Sequence, residues 1–116
     1  MNDRDSVILN KIADEAGIIA VMLQGVDETA FLNNDEKMRA VCMTLINIGE
    51  LVKNMTDEFR ISNDHIPWRD LAGLRDVTAH GYFTLRMPDI WIYASIELPK
   101  HATQIKELLA QVADDN

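Results

Sequence analysis

The stretch from Met38 to Phe59 constrains the fold more than any other part of the sequence. Met38, Val41, Leu45, Ile48, Val52, Met55 and Phe59 follow one another in alternating steps of three and four residues, the period of an apolar seam along one side of an α-helix. Asn34 or Asp35 stands where an N-cap belongs, and Asp35-Glu36 suit the positive end of the helix. So regular a seam needs a cover, and it lies against an antiparallel neighbour or a second copy of itself. The flanking sequence offers neighbours. Ile8, Ile12, Ala16, Ile19 and Leu23 make another stripe, in a segment capped at Asp5 or Ser6 and stopped by Gly25. Pro67 starts a third helix through Trp68, Leu71 and Leu74 towards His80, with Gly81 as its terminator. Pro88-Asp89 open a last one through Ile90, Ala94, Leu98, Ile105, Leu108 and Val112. Pro99 lies inside that stretch, where it removes a backbone donor and crowds the preceding turn. No segment alternates with the period of two that marks strands, and five glycines with three prolines are too few for a turn-rich β fold. The expected architecture is a single all-α domain over residues 1–116, a four-helix up-down bundle whose last helix is kinked or split at Pro99.

Charge narrows the function. Eleven Lys and Arg against nineteen Asp and Glu give a net charge of −8, the wrong sign for a polybasic nucleic-acid coat or an anionic-membrane binder. A local nucleic-acid site stays open. Cys42 is the single cysteine, which excludes an intrachain disulfide and a cysteine-based zinc cluster; beside the seam it reads as a small core hydrophobe. Met1-Asn2-Asp3-Arg4-Asp5 has no basic n-region or small-residue cleavage site. The longest mainly apolar run, from Ala16 to Leu23, falls far short of the roughly 20 residues a membrane-spanning helix needs. A soluble cytoplasmic protein without a membrane partner is the expectation.

The acidity is uneven. From Arg60 to Arg86 four arginines face three aspartates, for a segment charge of +1 against −9 elsewhere. Inside this window lies Arg75-Asp76-Val77-Thr78-Ala79-His80-Gly81-Tyr82. A histidine titrates near neutrality and can move the proton of an attacking or leaving oxygen. An arginine stays charged and offers a planar fork of donors to developing negative charge on phosphate. RNA carries its own nucleophile, the 2′-hydroxyl, so the pair suffices for phosphodiester chemistry without a metal. Five residues at about 100° each put Arg75 and His80 about 140° apart around an ideal helix. They converge if the arginine wraps, if the helix loosens before Gly81, or if a second subunit completes the site. Without context, a lone histidine such as His80 is more often a dipole-stabilised helix cap, and Tyr82 more often packs than reacts.

The context is Ile66-Pro67-Trp68-Arg69-Asp70-Leu71-Ala72-Gly73-Leu74-Arg75 followed by His80-Gly81-Tyr82-Phe83, with Asn47-Ile48-Gly49-Glu50, Asp89-Ile90-Trp91, Leu98-Pro99 and Gln104-Ile105. Across essentially the whole chain this resembles the HepT-like branch of the HEPN superfamily, small all-helical proteins of prokaryotic toxin–antitoxin systems. The resemblance implies a toxin of a type VII-like system: a metal-independent endoribonuclease without a cofactor, acting on RNA and not DNA in a homodimer cleft. Carried onto this sequence, Arg75 stabilises phosphate charge, His80 is the general acid and base, and Asp76 orients one of them or the substrate. The implied partner is a minimal MntA-like nucleotidyltransferase antitoxin that transfers AMP onto Tyr82. An anionic group two residues from His80 would fill the cleft and repel RNA. The family more often has bulky aliphatics where this chain has Thr78-Ala79.

An alternative of another class is a non-catalytic helical module that binds and regulates, or is modified by, the nucleotidyltransferase; a third is a pure dimerisation bundle. His65 and His101 read as surface or capping residues. Arg69 either binds RNA phosphate or pairs with Asp70 or a neighbouring helix. Glu50, after the Gly49 gap in the seam, reads as an inter-helix partner or a functional group. Trp68, Trp91 and Tyr93 read as core or dimer contacts, not a row for base stacking.

Overall fold

The computed structural model describes residues 2–84 and 86–115, with the side chains of 77, 79–84 and 113–115 outside the description. Asn2 caps α1 (Asp3–Met22) by accepting from the Asp5 N–H at 2.7 Å. The cap thus falls three residues before Asp5 and four before Ser6, the expected caps, because Asp5 is used elsewhere. Gly25 adopts φ +71° in the turn that follows α1, a conformation that suits a residue without a Cβ. A short α2 (Glu28–Leu32), capped by Asp27, then carries Phe31 into the core.

The seam helix is α3 (Asp35–Lys53), capped by Asn34, one of the two residues the sequence offered. It ends sooner than the seam does. Thr56 caps a separate α4 (Asp57–Ser62) through the Phe59 N–H. Asp5 fixes this break from α1, its carboxylate accepting from the Thr56 N–H at 2.9 Å and the Thr56 hydroxyl at 2.7 Å. Asp5 is 2% exposed, and a buried carboxylate is tolerated because both its oxygens are hydrogen-bonded. Met55 and Phe59 remain buried on the seam line across the break.

The third long helix, α5 (Trp68–Thr84), starts one residue after Pro67 and runs through Gly81 instead of stopping there. The last begins as α6 (Met87–Ile92) with proline in its first turn, passes through a π-helical turn (Tyr93–Glu97) and continues as α7 (Leu98–Asp115). The stretch is thus split, as expected, immediately before Pro99. The Leu98 N–H reaches back five residues to the Tyr93 carbonyl, and this wider turn lies where a proline ring would otherwise press on the preceding turn.

Four long helices make the bundle, and no strand occurs among the described residues. α3 packs against both α1 and α5, and α7 packs against α1. Ile8, Ile12 and Ile19 from α1 meet Val41, Leu45, Ile48 and Val52 from α3, Leu71 from α5, and Leu98 and Ile105 from α7. Trp91 packs beside Phe31 with ring centres 5.4 Å apart, and Trp68 beside Phe59 at 6.0 Å. Trp68 and Cys42 are core residues, and Trp91 is partly buried against the core. Burial pushes the Cys42 thiol pKa up, as expected for an inert core thiol. Among the described residues no helix is long and apolar enough to cross a membrane.

Candidate active site

Arg75 sits where α5 comes closest to α3, and Gly49 makes that approach feasible. A Cβ at position 49 would lie 2.5 Å from the Arg75 amide nitrogen, 2.9 Å from the Arg75 Cβ and 3.1 Å from the Ala72 carbonyl oxygen. Two of those three contacts are backbone and cannot swing away, so only glycine lets the helices cross at this depth. The next residue of α3, Glu50, then meets the arginine: its carboxylate pairs with the Arg75 Nε. Arg75 Nη1 lies 3.8 Å from the Asp76 carboxylate, and Lys53 Nζ lies 3.4 Å from the same group. The result is an alternating chain, Glu50, Arg75, Asp76 and Lys53, along the α3–α5 junction.

This chain of charge is open to solvent. The Arg75 side chain is 49% exposed and that of Glu50 46%. An exposed pair of this kind contributes about 0–1 kcal/mol, so it orients the guanidinium more than it holds the fold together. The arginine also bends towards Asp76, one step around α5. The helix does not loosen before Gly81. Thr78, two residues before His80, is 1% exposed, and its hydroxyl has no hydrogen-bond partner among the described residues.

Of the sequence-predicted site residues, Arg75 and Asp76 are thus brought together, and Glu50 joins them as the inter-helix partner. The side chains of His80 and Tyr82 lie outside the described residues. Among the described residues no cluster of three or more His, Cys, Asp or Glu is placed to hold a metal ion. Beside Glu50 a groove of about 500 Å³ runs between α1 and α3, where Asn47 donates to Glu15 at 3.2 Å.

One residue, His101, behaves differently from the sequence reading. Tyr93 and His101 form a pair, with the Tyr93 hydroxyl 3.0 Å from His101 Nδ1. Burial, then the Asp70 and Glu97 carboxylates, push the Tyr93 phenol well above its ordinary pKa. Burial pushes His101 below its ordinary value, with Lys100 acting in the same direction and Glu97 and Asp70 against it. A protonated phenol donating to a neutral imidazole satisfies both tendencies. His101 is therefore half-buried and partnered, not a surface or capping residue. Arg69 is exposed and forms no ion pair with a described residue.

Fold and charged crossing together define a HEPN-like all-α bundle. The sequence pattern of the Ribonuclease HepT-like family matches residues 12–108, and the chain belongs to that family. A Caldanaerobacter subterraneus subsp. tengcongensis protein named "putative RNase" is 34% identical over 101 residues, covering 87% of this chain and 90% of the relative. A Methanocaldococcus jannaschii protein of the same name is 32% identical over 88 residues, 76% of each chain. A "probable ribonuclease HepT" of Thermococcus cleftensis is 28% identical over 100 residues, 86% of this chain and 91% of the relative. No solved structure matches the chain significantly. Family and relatives alike support a ribonuclease.

Proposed function

We propose that this protein is a metal-independent endoribonuclease, the toxin of a toxin–antitoxin pair, working as a homodimer with Arg75 and His80 in the cleft between subunits. The observation that carries the reading is the Gly49 crossing, which sets Arg75 beside Glu50 and Asp76 on an exposed junction within the family-matched region. The pairing with Glu50 is weak enough for an incoming phosphate to displace it, since the two interactions are alike in kind and both half-solvated. Arg75 then stabilises the negative charge that grows on the phosphate as the 2′-oxygen attacks. His80 takes the proton of the attacking hydroxyl and returns one to the departing 5′-oxygen. Asp76 holds the guanidinium on the side of α5 that position 80 shares.

The antitoxin in this reading is a nucleotidyltransferase that moves AMP from ATP to the Tyr82 hydroxyl with loss of pyrophosphate, adding an anionic group close to His80. The test begins with Arg75→Ala and His80→Ala, each expected to lower RNA cleavage by about 10²- to 10⁴-fold. Full activity in both variants would end the ribonuclease assignment to these residues. Light scattering should give twice the 13.1 kDa chain mass. Incubation with the antitoxin and ATP should add whole AMP masses to the wild type and none to Tyr82→Phe.

The partly neutralised Arg75 favours a second reading, a non-catalytic module docked by the nucleotidyltransferase. Tight partner binding without RNA cleavage by the unmodified protein would select it.

A further inference from the structure

The π-helical turn borders an open hollow, apolar over most of its lining but edged by charged side chains, that the proposed chemistry leaves unused. It has a volume of about 550 Å³ and lies between the first half of α5 and the start of α7, lined by Arg69, Asp70 and Gly73 on one side and Tyr93, Glu97 and His101 on the other. That volume falls in the range of small-ligand sites.

Three features distinguish it from an ordinary surface hollow. Gly73 lies in the interior of α5, yet among the described residues no heavy atom outside its own helix turn comes within 4 Å of where its Cβ would be. Packing within the chain gives no reason for a residue that weakens a helix interior, in contrast to Gly49. Arg69 is exposed and without an ion pair or hydrogen bond to any described residue. A cation on an acidic protein is thereby left available. On the opposite wall Tyr93 is hydrogen-bonded to His101 at 3.0 Å, and Glu97 lies 3.8 Å from Lys100.

The cavity also lies in line with Asp76 on α5. Arg69, Gly73 and Asp76 succeed one another in steps of four and three residues, one stripe of α5. Arg69 and Arg75 are about 9 Å apart along the helix axis and about 120° apart around it, so a strand of a few nucleotides that touches both must wrap around α5.

We propose that this cavity binds one nucleotide of the RNA strand, flanking the bond cleaved beside Arg75. Arg69 holds its phosphate. The bare helix surface at Gly73 admits its sugar. Asp70 and Glu97, which can only accept, take N–H groups from an amino-bearing base. The assignment rests on the ribonuclease reading for its substrate, and it extends that reading to substrate positioning and base preference.

The test is binding of fluorescein-labelled 2′-O-methyl oligonucleotides, which lack the free nucleophile and cannot be cut, to the full-length protein. Arg69→Gln and Gly73→Leu should each weaken binding about tenfold, the scale of one lost phosphate or base contact. Arg69→Gln should also flatten the salt dependence of affinity by about one phosphate contact. Gly73→Leu should melt a few degrees higher than the wild type, because leucine is the better helix former and meets open space. A protein that becomes more stable while losing RNA has lost a contact and not its fold. Cytosine tracts should bind the wild type more tightly than uracil tracts.

Wild-type affinity in both cavity variants, with cleavage abolished in Arg75→Ala, would overturn the cavity assignment and leave the ribonuclease standing. Weakened binding in both, with full cleavage by Arg75→Ala and His80→Ala, would sustain the cavity and overturn the catalytic roles. Absence of RNA binding by the wild type would overturn both.

Discussion

Two helical glycines of one chain should answer the same substitution with opposite signs. At Gly49 an added methyl would meet the Arg75 amide nitrogen at 2.5 Å, roughly 1 Å inside ordinary carbon–nitrogen contact. The obstacle is backbone, so α3 and α5 must separate. Overpacking of this kind costs about 1–3 kcal/mol, and the better helix propensity of alanine returns about 0.5–1 kcal/mol. Gly49→Ala is therefore expected to lose about 1–2 kcal/mol. At Gly73 no described heavy atom outside its own helix turn lies within 4 Å of the new methyl, so only the propensity gain of about 0.5–1 kcal/mol remains. At about 4 °C per kcal/mol for a domain of this size, Gly49→Ala should melt about 4–8 °C lower than the wild type and Gly73→Ala about 2–4 °C higher. Urea unfolding followed by helical circular dichroism gives the free energies, and thermal melts the temperatures. RNA cleavage should fall with Gly49→Ala even at temperatures where it is fully folded, because Arg75 is carried away from Glu50 and Asp76. Shifts of the same sign in the two variants, or a Gly49→Ala protein as stable as the wild type, would refute the account of the crossing.

Other expectations concern the remaining buried polar groups. Asp5→Ala removes both hydrogen bonds that fix Thr56 and should cost about 2–3 kcal/mol in urea unfolding; a loss near zero would mean that the α3–α4 break stands without it. Thr78→Val replaces a buried hydroxyl lacking a partner among the described residues by a methyl of the same shape. It should stabilise by about 1 kcal/mol, and a destabilised variant would show that the hydroxyl is bonded in solution. His101, lowered in the folded state mainly by burial, takes up its proton in the unfolded chain first. Its contribution to stability is complete above pH of about 6.5 and declines as pH falls from there towards the folded value. Stability measured from pH 7.5 to 5 should accordingly slope less in His101→Gln than in the wild type, and equal slopes would remove His101 from the acid response.

The comparison of expectation with structure turns on how local each feature is. Asn34 was legible as a cap because the whole interaction spans three residues. The Arg75–Asp76 contact was within reach of sequence reasoning for the same reason. The end of α3 was not, because the apolar seam continues unbroken past Lys53 and the carboxylate that holds Thr56 lies 51 residues away. Tyr93 and His101 are eight residues apart, about 12 Å along a straight helix, and their spacing offered no sign of a hydrogen bond across a π turn. Glu50 was visible as a candidate through its place after Gly49, but its partner was not.

Sequence by itself determined the all-α class, the four long helices and the buried residues Ile12, Ile19, Val41, Leu45, Ile48 and Val52, because a repeat of three and four residues is a direct statement of which side of a helix avoids water. It also carried the family, through the motif around Arg75. Tertiary structure decided what meets what: Gly49 against the Arg75 backbone, Glu50 against its guanidinium, Asp5 against Thr56, and the bare surface of Gly73 against nothing in the chain. Those outcomes depend on the depth and angle at which helices cross. Crossing geometry is set by side-chain volumes summed over the entire interface, a quantity that no short stretch of residues contains.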